Sequence, residues 1–215
     1  MEPLLRYVSL LYDTFGTEQG KIPGYPGHPE IELALLRLFD RTKDPKHQEL
    51  ANFFISERGN PHGWLGKNYY DVEALRRGDE AGRRPAYQPH ENSLRYYQAH
   101  RPIVEQETME GHSVRAMYLL TSVADLVRQK GPDSTDKLDA AVHRLWNNMV
   151  QKKMYVTGGI GSMTQWEGFG IDYFLPQGTD DGGCYCETCA AIGVMMLAER
   201  MLQVVNYDAG TRGLC

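Results

Sequence analysis

Apolar residues recur at helical spacing along most of the chain. Leu4, Val8, Leu11 and Phe15 mark a first stripe; Ile31, Ala34, Leu35, Leu38 and Phe39 a second; Leu50, Phe53 and Phe54 a third. Breaks at 16–27 and at Lys43-Asp-Pro45 separate them. Ala116, Leu119, Leu120, Val123 and Val127 carry a fourth helix that Gly131-Pro132 stops, and Leu138, Ala141, Val142, Leu145, Trp146 and Met149 give the cleanest stripe. A last helix uses Ala191, Val194, Met195, Ala198 and Leu202. The fold class is therefore all-α. Helices of similar length joined by short loops make antiparallel neighbours, as in a bundle, a solenoid or an α/α toroid. No exact internal repeat supports a tetratricopeptide-type array.

Two polar stretches interrupt the helices, Gly59 to His90 and Thr157 to Tyr185. Loops of this length inside a compact domain are usually functional or disordered. The second contains Trp166, Phe169, Tyr173 and Phe174, which argues for order. Aromatic rings beside carboxylates suit sugars, whose apolar faces stack while their hydroxyls take directed hydrogen bonds.

Composition narrows the function classes. At 215 residues and 41% hydrophobic content the chain has enough apolar surface for a core. A net charge of −5 with no basic run argues against a nucleic-acid partner. Charges interrupt every apolar stretch before it reaches membrane-spanning length, and Met1-Glu-Pro-Leu-Leu-Arg6 is no signal peptide, so no membrane partner is expected. Four cysteines are too few for a disulfide scaffold. A soluble protein of a reducing, cytoplasmic compartment is expected.

The chemistry concentrates between residues 155 and 189. Cys184, Cys186, Cys189 and Glu187 combine soft thiolates with one hard carboxylate, a mixture that zinc accepts. Short spacing rarely closes a tetrahedron without help from elsewhere. A redox pair at Cys186 and Cys189, or small residues packing a helix start, are competing readings. No βαβ pattern surrounds the pair, which weakens the redox reading. His112 lies four residues before Ala116 and so on the same stripe, facing whatever the helices enclose. His28 stands before the second helix, followed by Glu30 and Glu32. A capping His28, a hydrogen-bonded core His112 and a dipole-complementing Glu30 are the alternatives.

Four motifs together resemble the β-L-arabinofuranosidase family of glycoside hydrolases. They are Gly24-Tyr-Pro-Gly-His-Pro-Glu-Ile-Glu-Leu-Ala-Leu35, Gly111-His-Ser-Val-Arg-Ala-Met-Tyr118, Tyr155-Val-Thr-Gly-Gly-Ile-Gly-Ser162 followed by Glu167, and Tyr185-Cys-Glu-Thr-Cys-Ala190. Their order and spacing match the family over most of the chain. The resemblance implies part of an (α/α)6 barrel with a long aromatic and Gly-rich active-site loop, preceding β-sandwich domains that this chain lacks. Residues 1–205 would be the partial catalytic domain and 206–215 an irregular tail. It further implies cleavage of terminal β-linked L-arabinofuranose with retention by a zinc-bound cysteine thiolate. By position, Glu167 looks like the general acid/base, Glu187 and Cys189 like zinc ligands, and His28 and His112 like substrate-binding groups. Without the family, Glu167 and Glu187 read as a two-carboxylate pair.

The departures define two hypotheses. The family carries an adjacent cysteine pair, nucleophile included, well beyond the Glu-Thr-Cys motif, and this sequence has none. The chain is thus expected to be either an internal fragment of an arabinofuranosidase-like hydrolase acting on small or oligosaccharide arabinofuranosides, or a catalytically silent helical module that binds sugar or metal. Either form is expected to be inactive alone and to self-associate through exposed barrel faces.

Overall fold

The computed structural model describes residues 2–79, 94–131, 136–178 and 184–211, with 136 and 205–211 by backbone alone. Among the described residues seven α-helices follow in chain order: α1 (Glu2–Thr14), α2 (Ile31–Thr42), α3 (Pro45–Glu57), α4 (Tyr69–Arg77), α5 (Ser113–Lys130), α6 (Asp136–Lys152) and α7 (Thr188–Thr211). Single 3-10 turns span Leu94–Tyr97 and Ile103–Glu105. Among the described residues β-pairing is limited to isolated bridges.

Local chemistry sets the boundaries. Lys43 closes α2 in a left-handed conformation, returning its N–H to the Phe39 carbonyl. Asp44 then caps α3, its carboxylate accepting from the Lys46 N–H, with Pro45 in the first turn where no amide donor is needed.

Helix α5 is the centre of the molecule. From Leu119 through Val127 every residue is buried, as suits a helix packed on all sides. The Thr121 and Ser122 hydroxyls donate to carbonyls one turn back, and Asp125 takes the Arg200 and Arg128 guanidiniums, so burial strands none of these side chains wholly. Leu35 and Leu36 of α2, Leu145 and Met149 of α6, and Leu197 and Met201 of α7 close around it.

Cross-links show the directions of the helices. Arg115 of α5 reaches Gly27 just before α2, while Gln129 and Arg128 at the far end of α5 reach Leu36 and Asp40 of α2. Met117 of α5 abuts Gly193 early in α7, and Asp125 pairs with Arg200 further along it. Helices α2, α5 and α7 therefore run parallel, with their N-termini at one end. Gln48 early in α3 bonds Gln129 late in α5 and Arg58 just after α3 bonds the Pro26 carbonyl before α2, while Asn148 late in α6 accepts from the Met109 N–H before α5, so α3 and α6 run antiparallel to them.

Three expectations change. The stretch from Gly59 to His90 is not all loop: Asn68 caps α4 through the Tyr70 N–H and Gly78 ends it at φ +78°, so helix forms wherever both stops are supplied; residues 80–93 lie outside the described residues. The tail does not turn irregular at 206, because α7 continues to Thr211, while 212–215 lie outside the description. The face of α7 against the core is Ala190, Gly193, Leu197, Met201 and Val204 rather than the stripe through Met195 and Leu202, which are 71% and 66% exposed. Periodicity misplaced that face because α7 is apolar on several sides. A Cβ on Gly193 would lie 2.6 Å from Met117 Cβ, so only glycine permits this approach to α5.

Candidate active site

The parallel run of α2, α5 and α7 gathers the chemistry-bearing motifs at one end. His28 precedes α2, His112 is the residue before α5, and Glu187 precedes α7 with Cys189 in its first turn. Helix N-termini carry unpaired N–H groups and partial positive charge, which favour carboxylates and thiolates nearby.

Glu167 is brought there by a backbone strap. Its residue adopts φ +53°, a left-handed conformation costly for a side-chain-bearing residue. The Glu167 carbonyl accepts from both the Ser113 N–H (3.0 Å) and the Ser113 hydroxyl (2.8 Å), which offsets that cost and welds the loop to the start of α5. Alongside, the Phe169 N–H donates to the Gly111 carbonyl, and a Cβ on Gly168 would stand 2.0 Å from that oxygen, so glycine is required at the crossing. The Glu167 carboxylate consequently meets His112, Nε2 to Oε2 at 3.1 Å.

The Tyr185 hydroxyl continues the network, donating to Glu187 Oε1 at 2.9 Å. Burial and the Glu187 and Glu167 carboxylates raise its pKa, so this phenol stays a donor. The other Glu187 oxygen accepts from the Cys189 thiol at 2.9 Å. Burial and Glu187 push the Cys189 thiol up, and burial with the Cys184 thiol pushes Cys186 up to about 12.

His28 joins from the α2 side. Its ring stands edge-on to Tyr118 at 5.3 Å. Burial first, then the Arg115 charge, holds it neutral down to about 4. Burial and Arg115 lower His112 as well, against the opposing pull of Glu167 and Glu187. His28 Nδ1, His112 Nδ1 and Arg115 Nε are buried without a hydrogen-bond partner among the described residues. Three orphaned polar atoms at one end of the fold fit a ligand rich in hydroxyls.

The residue-by-residue outcome is mixed. Glu167 and His112 meet directly, Tyr185 links them to Glu187 and Cys189, and His28 approaches from α2. His28 is not a cap: Glu30 occupies the cap position of α2, and no side chain caps that helix. The cysteines are not buried packing, since Cys184 and Cys189 are exposed and all three described are free thiols. Among the described residues no group of three His, Cys, Asp or Glu side chains converges on a point suited to a metal. Glu187 and Cys189 alone form an oxygen–sulfur donor pair of the kind zinc accepts. Sequence reasoning missed Ser113, Arg115 and Tyr185. Arg115 was detectable, being one helical turn beyond His112 in the same motif.

Comparison with known proteins bears on this arrangement. The family model described as β-L-arabinofuranosidase, GH127 catalytic domain, matches residues 1–209. A non-reducing end β-L-arabinofuranosidase of Bifidobacterium longum subsp. longum is 37% identical over 204 residues, covering 95% of this chain and 29% of the relative. The crystal structure of a GH127 β-L-arabinofuranosidase from Geobacillus stearothermophilus T6 superposes with a TM-score of 0.82 at 38% identity, over 93% of this chain and 29% of that one. A second GH127 β-arabinofuranosidase gives 0.73 at 31% identity, over 94% and 26%. The chain thus spans under a third of the length of these relatives, and its helices form part of an (α/α)6 barrel. No helix among the described residues is long and apolar enough to cross a membrane. With the family model and the relatives agreeing over nearly its whole length, the chain belongs to the β-L-arabinofuranosidase family, as a piece of the GH127 catalytic domain.

Proposed function

We propose that this chain supplies the proton-transfer half of a retaining glycosidase site that releases terminal β-linked L-arabinofuranose from small-molecule or oligosaccharide arabinofuranosides. The observation that carries the reading is the His112–Glu167 pair at 3.1 Å, on a loop fastened through its own backbone to α5. In this reading Glu167 gives its proton to the glycosidic oxygen as the bond breaks and takes one from water afterwards. His112 Nε2–H orients the carboxylate, and Tyr185 keeps a donor between Glu167 and Glu187. His28, His112 and Arg115 hold sugar hydroxyls through the orphaned atoms described above.

Glu187 and Cys189 would hold zinc, which when bound keeps thiolates deprotonated at neutral pH. They provide two ligands of the four zinc normally takes. A reducing, cytoplasmic setting belongs to this reading, supported by the sparse cysteines of the sequence. Exposed Tyr7 and Leu10 on α1 and Met195 on α7 support self-association of the isolated chain.

Binding of L-arabinose followed through the ring signals of His28 and His112, with hydrolysis of an aryl β-L-arabinofuranoside measured in parallel, tests the proposal. Binding that His28→Ala and His112→Ala weaken, with no turnover by the isolated chain, is expected. No sugar binding at either ring would contradict it.

A further inference from the structure

A cavity of about 680 Å³ opens beside the site, within the size range of small-molecule pockets. Its lining includes neither Glu167, His112, Glu187 nor Cys189. It nonetheless borders Glu167 and His112: Trp166 directly precedes Glu167, and the Tyr96 ring meets the His112 ring edge-on at 5.5 Å. Trp166, Phe169, Phe174, Met163 and Ile171 make its apolar walls.

The charged groups of the lining are already paired, Arg95 with Glu110 and Lys153 with Asp172. Lys153 donates to the Met109 and Gly170 carbonyls and stands 3.5 Å from Asp172. Asp172 also takes Lys152 and Asn148. Glu110 accepts from Arg95 and from the Thr108 hydroxyl, and the Trp166 N–H goes to the Phe169 carbonyl. A polyol entering here would shed water without regaining enough hydrogen bonds, a cost of the order of 1–3 kcal/mol for each hydroxyl left unpaired. A flat apolar ring loses nothing of the kind and gains contact with four aromatic side chains.

We propose that this cavity is a binding site for a neutral aryl group, placed to receive the aromatic leaving group of an arabinoside whose glycosidic oxygen faces Glu167. The leaving-group role rests on the glycosidase reading above; the binding of an aryl ring does not.

Phenol is the probe, titrated into the full 215-residue chain while the Met163 methyl signal is followed by NMR. A saturable shift with a dissociation constant of about millimolar is expected for so small a ligand. Phe174→Ser should weaken it about tenfold or more, and L-arabinose at the same concentration should leave Met163 unmoved. Ile171→Trp, at a rim position 79% exposed, should also block phenol, and the buried Met117 and Met149 methyls report that each variant stays folded. No saturable phenol shift, undiminished binding in folded Phe174→Ser, or an equal response to arabinose would overturn the proposal. Phenol binding with no binding of L-arabinose at the His28 and His112 rings would keep the aryl site and sink the glycosidase reading; arabinose binding at those rings without phenol binding would do the reverse.

Discussion

His112 Nε2 stands 3.1 Å from Glu167 Oε2 although 55 residues separate them. Burial and Arg115 keep this imidazole toward its neutral form, so it donates one N–H to the carboxylate and leaves Nδ1 without a partner among the described residues. The carboxylate is therefore aimed by the start of α5 rather than by its own loop alone.

That arrangement makes Ser113 a positioning residue. Ser113→Ala removes one of two hydrogen bonds to the Glu167 carbonyl, while the backbone N–H keeps the other. A loss of about 0.5–1.5 kcal/mol in urea unfolding is expected, since the acceptor is not left wholly unpaired. A loss of several kcal/mol, or none, would show that the strap works otherwise.

The buried Glu32–Arg58 pair predicts a larger effect. Both side chains are essentially inaccessible, and Arg58 also donates to the Tyr97 and Pro26 carbonyls, the latter two residues before His28. Arg58→Met strands a buried carboxylate and should cost about 3–5 kcal/mol. Thermal unfolding measures it; a shift within error would mean that Glu32 is protonated or reached by water.

Stability should fall on mild acidification. His28 and His100 are held neutral down to about 4 by burial, whereas an unperturbed imidazole protonates near 6.5. Between those values the unfolded chain binds more protons, so stability present above pH 6.5 is lost as pH falls toward 4. The melting temperature should drop across that window, and less steeply in His100→Gln. An unchanged slope in that variant would remove His100 from the account.

Zinc affinity offers a separate check on the cysteines. Glu187 and Cys189 supply two donors, so weak binding is expected by competition with a chromophoric chelator. Cys189→Ser should abolish it, whereas Cys184→Ser should leave it unchanged. The opposite pattern would place the metal on the 184–186 side of the segment.

Much of the fold was legible where one helix face alone is buried. α2 and α6 show that periodicity clearly and appear where it placed them. α5 was legible as a helix but not as the central one, because Thr121, Ser122 and Asp125 are buried with partners that no local pattern reveals. α4 was hidden by its polarity, although Asn68 and Gly78 signalled both of its ends. At the site, the motifs marked Glu167, His112, Glu187 and Cys189 as candidates. Their meeting depends on the parallel run of α2, α5 and α7 and on the left-handed Glu167, neither of which has a local sequence signature.

The central claim is that Glu167 moves the proton. The direct measurement places residues 1–209 of this chain in the matching segment of the Geobacillus stearothermophilus enzyme and compares Glu167 with Glu167→Gln on arabinofuranosides of poor and good leaving groups. The account predicts that Glu167→Gln lowers kcat about 10²–10⁴-fold on the poor leaving group and far less on the activated one, with substrate binding nearly intact. A Glu167→Gln chimera that keeps near-normal kcat on the poor leaving group would contradict it.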